Sequence, residues 1–311
     1  MIKLLDGHSV PAAVDIYNTF LPAKYRIDEK LLRQKTVECP VFDWGASFIK
    51  EGSGFVAVKK SAAKLYRGPN PDSAHITALG YHDPKEMLEL LHEVKTGLKN
   101  RGVSKLHFGT DSAHLFPGCP QDASGLCDFL MISGFVGNGE AHDLERDLAD
   151  YDNPAPTPSQ DSYRACSADD LPALRDFLAR EFPGRWLYDT MEKVAAEGPS
   201  TVFALFEGDR CEGFALIQQD GCNKPIGGAV WRESLGEDWG SLGPIGVSKS
   251  IRRRGSGNSL LGKALEHLRD HGARRTIIDW TGLVDFYGKH GFEVTRTYNY
   301  MTLDLESVSS G

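Results

Sequence analysis

The chain has 311 residues, of which 41% are hydrophobic and 25% charged, and its 35 Lys and Arg against 43 Asp and Glu give a net charge of −8. This is ordinary globular composition, and the length predicts two domains. The acidic balance argues against general nucleic-acid binding and against docking on anionic membranes, and it mildly favours cationic ligands such as amines.

The lack of targeting signals and the cysteine spacing both favour a cytoplasmic location. No apolar run approaches the roughly 18–20 residues that a membrane helix needs. The opening MIKLLDGHSVP lacks the apolar stretch and cleavage site of a secretory signal. The six cysteines are scattered without a CxxC pair, unlike those of zinc ribbons and disulfide scaffolds. We therefore expect a reduced cytoplasmic protein.

The first half of the chain has a helix that ends near Gly102, a strand at Lys105–Phe108 and a further helix in Gly125–Phe135, GLCDFLMISGF. An insertion separates that strand from the last helix, at Asp111–Ser124. In and around it are His107, His114, Cys119 and Cys127. Their spacing is irregular for a metal site, so we expect an ordered surface loop and no metal.

Residues 150–161, DYDNPAPTPSQD, mark the clearest boundary in the sequence. Three prolines within five residues remove backbone donors and disfavour helix before each of them. We interpret the segment as an extended linker between a domain at 1–149 and a domain at 162–311.

The second half alternates between strand and helix patterns. Its predicted elements are a strand at 162–167, helices at 168–182 and 187–197, a hairpin of 201–206 and 213–218, a strand at 241–247, a helix at 258–271, a strand at 276–280, a short helix at 283–290 and a closing strand pair within 293–305.

The two halves repeat each other. Gly282–Phe292, GLVDFYGKHGF, shares Gly, Leu, Asp, Phe and the final Gly-Phe with Gly125–Phe135. A helix ending in glycine and then a strand precede both segments. Agreement in motif and in element order predicts a tandem duplication.

One segment carries the features of an anion site. Ile245–Asn258, IGVSKSIRRRGSGN, runs from a strand through a turn rich in Gly and Arg into a helix. The N–H groups at such a helix start are unsatisfied and lie at the positive end of the dipole, which suits phosphate oxygens. Gly255 and Gly257 permit close approach of a ligand, and Arg252–Arg254 supply charge. A solvated basic turn is the alternative.

The motif Arg252-x-x-Gly255-x-Gly257 resembles the (Gln/Arg)-x-x-Gly-x-(Gly/Ala) loop of the GCN5-related N-acetyltransferase (GNAT) superfamily. Asp285–Phe292 resembles the final helix of that superfamily, in which a Tyr precedes the Gly-Phe turn. The resemblance covers most of 162–307. It implies an α+β fold with α/β-type layers: two tandem GNAT-like units, each a mixed, mostly antiparallel sheet flanked by helices.

The resemblance also implies that acetyl-CoA lies between two splayed strands, here 242–247 and 276–280. Pantetheine would form hydrogen bonds with the backbone of the first strand, and pyrophosphate would bind to the loop amides. Asp279, Trp280 and Phe286 would flank the thioester. At position 279 the family often has Asn instead of Asp. The implied cofactor-binding residues are Ile245, Gly246, Val247, Arg252, Arg253, Arg254, Gly255, Ser256, Gly257, Asn258, Asp279, Trp280 and Phe286.

For catalysis, Tyr287 stands where the family has the proton donor to the CoA thiolate. A phenol with a free pKa near 10 can protonate a thiolate of similar basicity; core packing of this Tyr is the alternative. The amide of Val247 is the candidate oxyanion donor. Glu237 is the candidate base, with Glu233, Asp238 or a chain of waters as alternatives.

The first half lacks both signatures. His82–Met87 falls at the position of the loop, and Leu130 falls at the position of the Tyr. We expect a degenerate GNAT-like domain that shapes the substrate cleft or completes a partner's sheet. Among isolated residues, Trp239 and Trp280 are expected in the core rather than in a substrate pocket. We expect solvated positions for His267, His271 and His290.

These features predict an N-acetyltransferase that moves the acetyl group of acetyl-CoA by direct attack of a small-molecule primary amine. Aminosugars, aminoglycosides, polyamines and amino-acid derivatives are the candidate acceptors. The tandem layout also resembles mycothiol synthase, and a non-catalytic acyl-CoA-binding regulatory module is a further alternative. We expect no metal, no nucleic acid and no membrane partner, and a monomer or homodimer.

Overall fold

A computed structural model describes residues 1–61, 72–155 and 162–306. In the first half the helices are α1 (Val10–Phe20), α2 (Glu29–Lys35), α3 (Pro84–Lys99) and α4 (Ser124–Ile132). The strands are β1 (Lys3–Leu4), β2 (Phe48–Lys50), β3 (Gly54–Lys60), β4 (Ser73–Tyr81), β5 (Lys105–Phe108), β6 (Cys119–Pro120) and β7 (Val136–Asp147). No helix in the described ranges is long and apolar enough to cross a membrane.

In the second half the helices are α5 (Leu171–Glu181), α6 (Arg185–Glu197), α7 (Arg232–Leu235), α8 (Ser256–Asp270) and α9 (Val284–Gly288). The strands are β8 (Ser162–Ala165), β9 (Val202–Glu207), β10 (Arg210–Gln219), β11 (Trp239–Val247), β12 (Arg275–Thr281) and β13 (Glu293–Asp304). The predicted closing strand pair is wrong, because β13 is one continuous strand. The helix predicted from Asn258 begins two residues earlier, at Ser256.

The chain forms two compact units, and each is built around a mixed sheet. The sheet of the first unit has the order β1-β2-β3-β4-β5-β13, and that of the second has the order β8-β9-β10-β11-β12-β7. In each, one neighbouring pair is parallel, β4 with β5 and β11 with β12, and the other pairs are antiparallel. Helices flank both sheets, which confirms the predicted fold class.

The final strand of each half completes the unit of the other half. The first unit comprises Met1–Ala141 and the segment from Arg296 onward, and the second comprises His142–Thr295. In the first unit β13 pairs with β5, and in the second the end of β7 pairs with β12. The division into 1–149 and 162–311 follows the repeats along the chain and stays a prediction. The two compact units have other bounds than the two halves, because the end of β7 belongs to the second unit and the end of β13 belongs to the first.

Only part of the predicted linker can be compared with the structure. Residues 156–161 lie outside the described residues. The preceding residues are not an extended solvated spacer throughout, because Tyr151 is only 3% exposed and belongs to the core of the second unit.

Successive side chains of β9 and β10 point to opposite faces of the sheet, and because both sets are apolar, the sheet of the second unit has two apolar faces. Phe203 and Leu205 face α8, which contributes one set of buried side chains, namely Leu260, Leu261, Ala264, Leu265 and Leu268. Their neighbours on β9 face α5, which contributes a second set, namely Leu174, Phe177 and Leu178. The sheet of the second unit therefore packs between α8 on one face and α5 on the other.

Candidate active site

The parallel pair β11 and β12 is joined only at one end. Their register runs over Trp239–Arg275, Gly240–Thr276 and Ser241–Ile277 and ends there. Both described strands continue, β11 to Val247 and β12 to Thr281, without further pairing between them. The two central strands therefore separate over the residues for which the resemblance implies a splay.

A bulge in β11 accounts for the separation. Leu242 pairs with Ile217 of β10, but the next paired residue, Ile245, pairs with Ala215. Three steps on β11 thus match two on β10. The extra residue bends β11, and beyond the bulge β11 no longer pairs with β12. Pro244 lies inside the bulge and has no N–H to offer to a neighbouring strand.

The edge of β11 that faces the opening carries backbone groups that do not pair with another strand. The N–H of Ser248 donates to the carbonyl of Glu212 on β10 at 2.8 Å. Because donors alternate along an antiparallel pair, positions 246 and 248 bond to β10, and Ile245 and Val247 point their N–H and C=O groups toward β12. Consistently, Arg252 Nε donates to the carbonyl of Val247 at 3.2 Å from that side. An extended ligand can add here as a strand does.

The loop after β11 leads into the uncapped start of α8. Arg252–Arg254 are exposed, and Gly255, with φ of 90°, is the N-cap without a side-chain hydrogen bond. Arg253 has φ of 64°, an uncommon conformation for a residue with a side chain. The first N–H groups of α8 have no acceptor within the helix and suit an anion. Ser256 and Asn258 belong to this first turn.

The packing of the protein does not by itself require the glycine in that turn. A Cβ added at Gly257 would meet only Val247 Cγ2, at 4.0 Å, and one added at Gly255 would meet no described atom within 4 Å. Gly246 is different, because a Cβ there would lie 2.5 Å from the ring of Phe182. Space in front of the loop is thus open, whereas the strand behind it is tightly packed.

Asp279 and Trp280 occupy a second bulge, on the opposite side of the opening. Ile278 of β12 pairs with Leu144 of β7, and Thr281 pairs with His142, so that both bulge residues oppose the single residue Asp143. This arrangement turns the bulge side chains away from the regular sheet alternation.

Asp143 holds that bulge in place. Its carboxylate is completely buried and accepts a hydrogen bond from the N–H of Trp280 at 3.1 Å. Trp280 itself has φ of 48°, a strained value for a bulky residue. Trp280 is half-buried and not part of the core, contrary to expectation, whereas Trp239 is 4% exposed and does lie in the core.

The carboxylate of Asp279 lies where the two strands meet. Its Oδ1 would be 3.6 Å from a Cβ added at Gly243 of β11 and 2.7 Å from one at Gly227. The 3₁₀ segment Gly227–Trp231 therefore approaches β12 closely only because glycines face it. Asp279 thus lies at the closed end of the opening, where the resemblance puts the thioester.

Tyr287 projects from α9 into the same region. Its side chain is 5% exposed, and its ring packs against Phe286 and Phe292 with centroids 5.0 and 6.1 Å away. Burial, together with the negative charge of Asp279, raises the pKa of Tyr287 well above that of a free phenol, although a hydrogen bond with Thr281 opposes the shift. Tyr287 therefore carries its proton at any physiological pH.

The structure does not bring every predicted residue together. Glu233, Glu237 and Asp238 are exposed and precede β11 at its paired end, away from the opening. Val247 lies about 10 Å along β11 from Gly243, because the bulge reduces the four residue steps between them to about three strand steps of about 3.3 Å each. Its amide is thus close to the loop and distant from the thioester end.

His290 is a site residue that the sequence did not indicate, and its predicted solvated position is wrong. It is 1% exposed, with Nδ1 2.7 Å from the hydroxyl of Tyr151 and Nε2 2.9 Å from Oδ1 of Asn258. Since Oδ1 can only accept, Nε2 donates and Nδ1 accepts from Tyr151. His290 thereby fixes the orientation of the Asn258 amide at the start of α8. Tyr151 lies 139 residues away in the chain, so no local pattern reveals this network.

We expect the stability contributed by His290 to depend on pH. Burial, and to a lesser degree the positive charges of Arg146 and Lys289, lower the pKa of His290 to about 4. An unfolded His has a pKa near 6.5, so between pH 6.5 and 4 the unfolded chain binds a proton that the folded protein does not, and stability falls as pH falls.

Relative to the wild type, the variant His290→Leu should therefore be less stable at pH 7.5, and this deficit should shrink by about 1–2 kcal/mol at pH 5, since Leu cannot titrate. Urea unfolding at the two pH values measures the change. His82→Leu, at an exposed position, is the control, and its difference in unfolding free energy from the wild type should be the same at both pH values. An unchanged deficit for His290→Leu would contradict the assignment.

Comparison with known proteins agrees with this geometry. Residues 171–292 match the model of the Acetyltransferase (GNAT) family. The second half of the chain contains a GNAT domain. The matched range includes the loop, both separated strands and α9, whereas Asp143 and Tyr151, which support the site, precede it. None of the curated protein sequences matches the chain.

Solved structures with the same fold include three that match nearly the whole chain. A GCN5-related glucosamine N-acetyltransferase region of a fungal multi-domain GH3 β-N-acetylglucosaminidase aligns with 97% of this chain at 18% identity and a TM-score of 0.81; this chain spans 38% of that one. A GNAT protein of Sphaerobacter thermophilus aligns over 98% of this chain and 95% of its own, at 14% identity and TM-score 0.69. A tandem GNAT protein of the clavulanic acid biosynthesis pathway aligns over 100% of this chain and 99% of its own, at 12% identity and a TM-score of 0.69. These likenesses show a tandem GNAT fold.

The first unit has different chemistry at the positions that correspond to the GNAT site. The N-terminus of α3 is already capped, because the side chain of Asp83 accepts from the N–H of Lys85 at 2.9 Å. Leu130, at the position of the Tyr, is completely buried. The start of α3 thus presents a carboxylate where the GNAT loop presents open amides.

The insertion at 111–124 is not a surface loop, and that expectation is wrong. Phe116 is 1% exposed and packs against the rings of Tyr25 and Phe108, while Asp111 accepts a buried hydrogen bond from Thr77 of β4. Apolar side chains within the insertion fill the space beside β4 and β5, which makes it part of the core. No group of three His, Cys, Asp or Glu side chains in the described part of the chain is arranged to hold a metal.

Proposed function

We propose that the second unit transfers the acetyl group of acetyl-CoA to a primary amine of a small molecule. The observation that carries the proposal is the opening between β11 and β12, which leads at one end to an uncapped, glycine-bearing helix start and at the other to Asp279 and Tyr287. A GNAT domain supports acyltransferase activity in general; the cofactor, the residue roles and the acceptor are proposed here.

The cofactor would lie along the separated edge of β11. The pyrophosphate would accept hydrogen bonds from the first N–H groups of α8, with Arg252–Arg254 adding positive charge. The pantetheine amides would pair with the backbone of Ile245 and Val247, which faces the opening, as an added strand does. The thioester would then reach the closed end beside Asp279, Trp280 and Phe286.

The reaction would be a direct transfer. The neutral amine attacks the thioester carbonyl, a C–N bond forms, and the C–S bond of CoA breaks. Tyr287 donates its proton to the departing thiolate, and the same buried surroundings that raise the pKa of the phenol also raise that of the thiol. The surplus amine proton passes through water back to Tyr287 and restores the phenol, since the acidic residues before β11 lie at the far end of the strand.

The acceptor class is open to a direct search. A chain with this fold is described as a glucosamine N-acetyltransferase region, so aminosugars head the panel, followed by aminoglycosides, polyamines, amino-acid derivatives and the cysteinyl amine that a mycothiol-synthase-like enzyme would use. We place the reaction in the cytoplasm, with the protein as a monomer or homodimer.

The test is release of free CoA thiol from acetyl-CoA by the purified full-length chain in the presence of each amine, combined with calorimetric titration of CoA. Amine-dependent release with a detectable N-acetyl product supports the proposal. Binding of CoA without acetylation of any amine would favour a non-catalytic acyl-CoA-binding module. Absence of CoA binding would remove the site altogether.

A further inference from the structure

The turn between α5 and α6 lies over both separated strands. On one side the ring of Phe182 packs against Gly246 of β11 so closely that no side chain fits there. On the other side the guanidinium of Arg185 stacks on the indole of Trp280 of β12, with Cζ 3.9 Å from the ring centroid. The turn thus places a positive charge directly beside the bulge that flanks the thioester end.

The guanidinium of Arg185 is not fully satisfied. Its Nε lies 3.8 Å from a carboxylate oxygen of Asp189, beyond hydrogen-bond distance. Its Nη1 is buried, and within the described ranges of the chain this atom has no hydrogen-bond partner. Arg cannot lose its proton to relieve this situation, and a buried N–H group without an acceptor is unfavourable.

Two other arginines that stack on rings in this unit have carboxylate partners. Arg164, over Phe206, donates to both carboxylate oxygens of Asp170. Arg180, over Phe177, donates from Nε to Glu181 at 3.2 Å. Arg146, which stacks on Tyr151, likewise has a buried nitrogen, Nε, without a hydrogen-bond partner in the described residues. Arg185 is therefore distinguished by its position beside Trp280 as well as by its unpaired nitrogen.

Two further features favour an anion at this position. Arg185 is the first residue of α6, a 13-residue helix whose N-cap, Gly184, provides no side-chain hydrogen bond, so the positive end of the helix dipole adds to the charge. Planar guanidinium groups also match the oxygens of carboxylates and phosphates better than other partners do.

We propose that Nη1 of Arg185 binds an anionic oxygen of the acceptor, so that the acceptor is an amine that also carries a carboxylate or phosphate group. The inference rests on the proposed function, because it assigns a substrate class to the same site. Asp279 lies next to Trp280 in sequence, and its carboxylate favours the cationic end of such a molecule. Arg185 is then a specificity-determining residue, and a neutral amine leaves its Nη1 without a partner.

The experiment compares matched amine pairs that differ in one anionic group: glucosamine 6-phosphate with glucosamine, and an amino acid with its methyl ester. The full-length wild type should acetylate the anionic member of at least one pair with kcat/KM about 10- to 100-fold higher, as expected for a charge-assisted hydrogen bond. Which pair responds distinguishes phosphate from carboxylate.

The variant Arg185→Gln should abolish this preference mainly by raising KM for the anionic member, while kcat/KM for the neutral member stays within about threefold. Arg185→Lys should retain part of the preference. Arg180→Gln, which removes a stacked arginine that already has a carboxylate partner, should leave the preference intact.

Acetylation without charge preference in either pair, or a preference that survives in Arg185→Gln, would overturn the inference and leave the acetyltransferase proposal standing. If no amine is acetylated, the proposed function fails, and the charge preference is then measured as calorimetric affinity of the CoA-saturated protein for each pair. Equal or undetectable affinities in that titration overturn the inference as well.

Discussion

The variant Gly257→Asp should bind acetyl-CoA at least about 100-fold more weakly than the wild type, with no loss of folding stability. A Cβ at this position meets only Val247 Cγ2, at 4.0 Å, so the fold has room for the new side chain. Asp in the first turn of a helix is itself favourable for the helix. Its carboxylate would occupy the place of the pyrophosphate and repel it, and loss of about 3 kcal/mol of binding energy corresponds to that factor.

The isosteric variant Gly257→Asn is the control, because it adds the same volume without charge and should lose less affinity. Calorimetric titration of acetyl-CoA measures binding, and thermal unfolding measures stability. Gly257 is the better position for this test than Gly255, whose φ of 90° strains any other residue. Undiminished affinity of Gly257→Asp would place the cofactor elsewhere in the molecule.

The parts of the site that the sequence predicts are those formed by neighbouring residues. Ile245–Asn258 runs from a strand through a Gly- and Arg-rich turn into the start of a helix. The first N–H groups of a helix have no acceptor within the helix, so this local order of elements already predicts open amides. The continuous apolar run at Val202–Phe206 is likewise typical of a strand buried on both faces. The mixed sheet with flanking helices follows from these elements.

The exchange of strands could not be predicted in this way. β7 and β13 have the pattern of a final strand in each half, and either sheet offers a similar edge beside its parallel pair. Which edge each strand takes is decided by packing and by chain connection rather than by its own residues. The continuity of β13 over twelve residues, Glu293–Asp304, also conceals that its two ends belong to different units.

Buried polar contacts between distant residues were also invisible in the sequence. His290 is in a helix-ending segment where exposure is the normal expectation, and only its contact with Tyr151 shows that it is part of the core. Arg185 acquires its significance from Trp280, which is 95 residues later in the chain and held by its own strained bulge. Such pairs are set by tertiary packing, and periodicity carries no information about them.

The variant Tyr287→Phe should lower kcat by about 100-fold on a good amine acceptor, with little change in KM for acetyl-CoA. The ring of Tyr287 fills a place in the core, which Phe fills equally, so only the hydroxyl and its hydrogen bond with Thr281 are lost. Because burial and Asp279 raise the pKa of the hydroxyl, the wild-type pH profile should show no decline from its ionisation below about pH 10.

Tyr81→Phe is the matched control for Tyr287→Phe, since its hydroxyl is also mostly buried and donates to the carbonyl of Gly125 at 3.0 Å in the first unit. It should keep full kcat, which separates loss of a buried hydroxyl from loss of a proton donor. Steady-state thiol release across pH 6–10 measures both variants. Equal turnover of Tyr287→Phe and the wild type would mean that water protonates the thiolate, and that burial of this Tyr serves packing alone.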